Sequence, residues 1–61
     1  MSYEYYVRFV FDYANIGVCV VIDEQDEDKA ERVARETLAY EGIVFPEPIE
    51  VTWEFTAEIL V

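Results

Sequence analysis

Apolar and polar residues first alternate along this chain, then take a helical spacing, then alternate again. Over residues 3–12, Tyr3, Tyr5, Val7, Phe9 and Phe11 fall on one side, and Glu4, Tyr6, Arg8, Val10 and Asp12 on the other. A period of two built from aromatic and β-branched residues predicts a strand. Residues 16–23 repeat the pattern, with Ile16, Val18, Val20 and Ile22 opposed by Gly17, Cys19, Val21 and Asp23. The short connection at residues 13–15, with Asn15 suited to a left-handed turn position, makes the two an antiparallel hairpin.

Over residues 26–41 the period lengthens. Ala30, Val33, Ala34, Thr37 and Leu38 stand at i, i+3, i+4, i+7 and i+8, the stripe of an amphipathic helix. Asp26 is the expected N-cap, with Asp23 as a rival one turn earlier. Glu27 and Asp28 complement the positive end of the helix dipole, and Asp28–Arg32 and Glu31–Arg35 have the spacing of ion pairs. Gly42 is the expected stop. Pro46 and Pro48 punctuate a connector, because neither can donate to a sheet ladder. Residues 49–59 then alternate most clearly of all: Ile49, Val51, Trp53, Phe55, Ala57 and Ile59 against Glu50, Thr52, Glu54, Thr56 and Glu58.

The order ββαβ predicts one α+β domain over residues 1–61, a two-layer sandwich of a three-stranded sheet on one helix. The crossover from the second strand through the helix is expected to be right-handed. The favoured sheet is antiparallel in the order 2-1-3, with the third strand beside the first. The order 1-2-3, with a parallel pair, is the alternative. With Ala30 and Ala34 at its contact, one helix is thin cover for the sheet, though small residues allow close approach.

Charge changes this picture more than size does. Fourteen acidic residues stand against four basic ones, a net charge of −10. Small soluble domains usually carry a charge of about 2 to 8 in magnitude, so self-repulsion here exceeds what solubility asks for. The chain is nonetheless 54% hydrophobic, a folding composition. Such a surface is repelled by anionic lipid and by nucleic acid. Residues 1–8 lack the basic and apolar regions of a signal peptide, and the longest apolar run, residues 18–22, is too short to span a bilayer. The expectation is a soluble cytoplasmic protein whose charged partner is basic. Cys19, the only cysteine, fits a reducing compartment and reads as a small packed residue.

Candidate chemistry is sparse. There is no His, and Ser2 sits at an end expected to fray, so no nucleophile–base pair is expected. Asp23, Gln25, Glu27 and Asp28 only loosely follow a calcium loop. The sixth and twelfth places hold Asp28 and Ala34, where the loop requires Gly and Glu. Two glycines cannot build a phosphate cradle. Neither catalysis nor a cofactor or metal is expected.

Two acidic sets remain as candidate binding residues: Asp23, Glu24, Asp26, Glu27 and Asp28 around the helix start, and Glu50, Glu54 and Glu58 on the polar face of the last strand. Capping explains part of the first, and protection of a strand edge part of the second. Together they predict an anionic surface imitating a nucleic-acid backbone and occupying a basic, nucleic-acid-binding site of a partner. Size and charge resemble those of small acidic bacteriophage proteins that block nucleases or defence complexes, without a shared motif. Residues four apart on a strand lie about 13 Å apart, whereas duplex DNA carries a charge every ~1.7 Å of axis. The glutamate row therefore needs the helix-start cluster, Asp12 or a second copy beside it. Tyr6, Val10, Cys19 and Val21 point away from the helix and predict an apolar patch for homodimer formation, the alternative function being a structural or assembly module.

Overall fold

The structure is a computed structural model that describes residues 1–60. Its elements are β1 (Ser2–Val10), β2 (Asn15–Ile22), α1 (Glu27–Tyr40) and β3 (Glu50–Ile59). The sheet is antiparallel throughout, in the order β2-β1-β3, so β1 is the centre and both other strands are edges. This is the expected α+β arrangement. Ser2, expected to fray, opens β1 opposite Ile59.

β1 earns the centre by its alternation. Tyr5, Val7 and Phe9 are buried in one row, and Phe11 continues it past the strand end. β2 matches them from Tyr3 opposite Ile22 to Val10 opposite Asn15, without interruption. The turn between them closes with the Phe11 N–H donating to the Ala14 carbonyl. Asn15 is not left-handed: no residue other than glycine has a positive φ among the described residues, and Asn15 already belongs to β2. Two additional loop residues, Phe11 and Asp12, give the chain room to turn without that conformation.

The helix begins and ends where its terminal chemistry dictates. Asp26 is the N-cap, its carboxylate accepting from the N–H groups of Asp28 and Lys29 at 3.0 and 3.3 Å. At the other end Gly42 has φ +82°. Its N–H donates to Ala39, and that of Ile43 donates to Leu38, the paired bonds of a Schellman ending. Thr37 sits on the apolar stripe without stranding its hydroxyl, which donates to the Val33 carbonyl one turn back. Of the two expected ion pairs only Glu31–Arg35 forms. Asp28 and Arg32 are both exposed, where holding two long side chains in register gains little.

The core joins the inward row of β1 with Val20, Ile22, Ala30, Ala34 and Leu38. Ala30 and Ala34 are fully buried, and their small size lets the helix sit close to the sheet. The helix lies chiefly over β2, less over β1 and least over β3. Phe45, from the connector, supplies part of the missing cover by packing on Phe9 and Phe11 with ring centroids 5.3 and 5.5 Å away. Arg35 lies over Phe9 and reaches Glu47, tying helix to connector.

β3 departs from its sequence pattern. Tyr5 faces Phe55, but Glu4 faces Ala57, so Thr56 is an extra residue, a β-bulge. Because side chains alternate strictly, one inserted residue exchanges the faces of everything beyond it. Ala57 and Ile59, expected to face the helix, share the open face with their partners Glu4 and Ser2. Glu58, expected beside Glu50 and Glu54, shares the helix side with Tyr3. The Thr56 hydroxyl lies 2.8 Å from Glu4 Oε1 and 3.1 Å from the Glu4 carbonyl oxygen, stabilising the bulge locally.

Candidate functional site

The two acidic sets do not stay as two sets. Glu50 and Glu54 lie opposite Val10 and Tyr6 on the open face, where Glu4 also lies. Glu58 leaves them for the helix side, at the end of the sheet where β2 runs into the helix start. Two strand spacings separate its position from that of Ile22, about 10 Å. The bulge thus moves one carboxylate from the strand row toward the helix-start cluster.

That cluster is partly neutralised from within. Lys29 reaches back to Asp23 at 2.5 Å and lies 3.8 Å from Glu24. The hydrogen bond from Lys29 lowers the Asp23 pKa below the usual carboxylate value, and the same bond raises that of Lys29. Asp26 is committed to capping. Glu27 and Asp28 remain exposed and outside any ion pair among the described residues. Tyr5, Glu24, Gln25, Asp26, Glu27 and Asp28 line an open hollow. No group of three or more His, Cys, Asp or Glu among the described residues is arranged to hold a metal ion.

Cations are scarce, and most are engaged. Lys29 serves Asp23 and Glu24, and Arg35 serves Glu31 and Glu47. Arg8 stacks over the Tyr6 ring, 5.3 Å from its centroid. Four of the fourteen acids are therefore in ion pairs, and the others project their charge.

The open face carries a more mixed surface than an apolar patch. Tyr6 faces Cys19 and Val21 faces Glu4, while Val10 is set apart by Arg8 and Gly17. The Tyr6 ring lies across Gly17, where a Cβ would stand 1.9 Å from the Tyr6 hydroxyl. An aromatic ring covering a strand glycine shields its backbone and fills the missing side-chain volume. Cys19, expected to be a packed residue, is instead exposed because it points to the uncovered side of the edge strand; Val21 is exposed with it, and Tyr6 and Val10 are half-buried. This stack of Arg8, Tyr6 and Gly17 was not anticipated, although the diagonal spacing of Tyr6 and Gly17 follows once strand register is known.

Apolar exposure is also found away from the open face. Phe55 on β3 is 49% exposed, and Ile43, Val44 and Ile49 of the connector are exposed too. The sequence signal was the thin helical cover, not any one motif. No family model matches the chain, nor does any curated protein or solved structure. No helix among the described residues is long and apolar enough to cross a membrane.

Proposed function

We propose that this chain is a non-catalytic binding protein whose anionic surface occupies a basic, nucleic-acid-binding site on a partner protein. A nuclease, a polymerase accessory protein or a defence complex has such a site. The observation that carries the reading is the excess of projecting carboxylates, fourteen acids against four cations of which Lys29 and Arg35 are already paired. Glu50 and Glu54 supply one side of that surface, and Glu27, Asp28 and Glu58 the other. Contact through such charges weakens as salt rises, since exposed charges act through screened fields.

Capture of a partner from host lysate at low and high salt, with wild type and with the pairs Glu50→Gln/Glu54→Gln and Asp28→Gln/Glu58→Gln, tests it. Loss at high salt together with loss in one pair is the expected result. Capture that survives high salt and both pairs sinks the proposal.

The exposure of Val21 and Cys19 on the open face supports a second reading, a module that assembles as a homodimer through that face. Sedimentation of wild type and Val21→Glu decides it. A wild-type monomer at high micromolar concentration rules it out.

A further inference from the structure

β3 is an edge strand with a free stretch between two guarded ends. The chain enters it through Pro46 and Pro48, and it is disrupted at Thr56 by the bulge. Beyond the bulge, Glu58 is a charge on the helix side of the sheet. Bulges and inward-pointing charges are two devices by which proteins keep edge strands from pairing with other chains. Neither device acts on residues 50–55. Their one ladder neighbour is β1, and the nearby bond outside that ladder, from the Ile49 N–H to the Val10 carbonyl, also points back to β1.

The side chains of this stretch are sorted by face. Glu50, Thr52 and Glu54 form an anionic and polar row on the open side. Val51, Trp53 and Phe55 form an apolar row on the helix side, where the helix gives least cover. Phe55 is half exposed, and Trp53 Nε1 is the one buried side-chain polar atom without a partner among the described residues. The core is unfinished along this edge. A strand laid beside it would place its own alternate residues against each row.

We propose that residues 50–55 of β3 receive an extended segment of the basic partner by strand addition, a segment alternating cationic with apolar residues. The cations face Glu50 and Glu54, and the apolar residues complete the cover of Val51, Trp53 and Phe55. Main-chain hydrogen bonds supply affinity, and the alternation supplies specificity. A second copy of this chain fits less well, because it brings the same glutamate row and a further net charge of −10. The inference rests on the reading of the partner as a basic protein.

The test is titration of the chain, followed by its amide resonances, with a capped synthetic peptide of alternating Lys and Val, about seven residues long. The comparison peptide has the same composition arranged as a Lys run followed by a Val run. Shifts concentrated on residues 50–55, with the alternating peptide bound about fivefold or more tighter, are expected from cross-strand pairing. Glu50→Lys/Glu54→Lys, at exposed positions that leave the spectrum dispersed, loses the Lys–Val peptide by on the order of tenfold and gains a Glu–Val peptide.

Shifts centred on residues 23–28, or equal binding of the block peptide, overturn strand addition while leaving the basic-partner reading in place. Shifts on residues 15–22 assign the docking to β2 and overturn it too. Concentration-dependent changes at residues 50–55 without peptide make the occupant a second copy. Absence of any shift at low salt overturns the strand addition, while the basic-partner reading stands or falls by the lysate capture.

Discussion

The sheet has two edges, and they are built on opposite principles. β2 carries no charged residue from Asn15 to Ile22, pairs with β1 without a break, and lies under the helix. β3 carries three glutamates, is broken by a bulge, and is left largely uncovered. One edge therefore has its inner row buried, while the other is guarded by irregularity and inward charge only beyond Phe55, leaving residues 50–55 open. The difference teaches where stability and recognition reside. Removing a methyl group from β2 disturbs a filled core, whereas changing β3 alters what approaches from outside.

The largest effect that can break this comparison is truncation on the helix side of each edge. Ile22→Ala, in a 5% exposed position, is expected to lose about 2–5 kcal/mol in urea unfolding, enough to unfold most of a domain this small. Phe55→Ala, at a half-exposed position, is expected to lose about 1 kcal/mol. A reversed order would mean that β3 and not β2 anchors the fold.

Tyr6→Ala tests the middle of the open face. It removes the cover of Gly17 and the platform for Arg8, and should lower stability by about 1 kcal/mol, an exposed cation–π contact plus a cross-strand pair. A thermal melt that does not move would show that Gly17 needs no cover. Thr56→Val should have a smaller effect, about 0.5 kcal/mol, because it removes exposed hydrogen bonds to Glu4 but leaves the bulge in place. Deletion of Thr56 is more informative than its cost. With the extra residue gone, Ala57 follows Phe55 directly and keeps its place opposite Glu4, so Glu58 should stay opposite Tyr3 on the helix side; NMR cross-strand contacts between Glu58 and Tyr3 check this, and contacts with Ser2 instead would show that the strand had slipped.

The smallest effect belongs to the helix-start ion pair. Asp23 has a lowered pKa, so its share of stability is present above the ordinary carboxylate value and lost as pH falls through the folded one. Lys29 has a raised pKa, so its share is present below the ordinary lysine value and lost as pH rises through the folded one. Both groups are solvent-exposed, and salt screens the pair. Lys29→Met should therefore flatten a slight loss of stability at the acid and alkaline ends of a melt series. At high salt wild type and variant should coincide.

Much of this architecture was legible from spacing. The alternation of β1 and β2, the helical stripe ending in Leu38, the Asp26 cap and the Gly42 stop are local signals, and each is local in the structure. The order β2-β1-β3 is the favoured one, but local signals and the handedness rule are equally compatible with 1-2-3, so pairing across the sheet decides it. The bulge was not legible, because apolar residues at Ala57 and Ile59 continue the pattern of Trp53 and Phe55 without a break. Whether a strand slips is decided by its partner, here by Glu4 taking Ala57 after Tyr5 has taken Phe55. The same reason hid the division of the glutamates: Glu58 is in phase with Glu54 along the chain and out of phase with it across the sheet. Asn15 misled because its preference for turns is real but weak, and a longer loop made it unnecessary.

Thr56 also bears on how such a surface can change over generations. A point mutation alters one side chain and leaves its neighbours facing as before. Keeping or losing the bulge instead sets the faces of every later residue of β3 at once, because regular pairing of the same residues would put Thr56 opposite Glu4, Ala57 opposite Tyr3 and Glu58 opposite Ser2. A change that dissolves the bulge without shortening the strand would carry a carboxylate across the sheet and bring Ala57 and Ile59 back in exchange. This position offers a jump between two surfaces, with the hairpin and helix inherited intact.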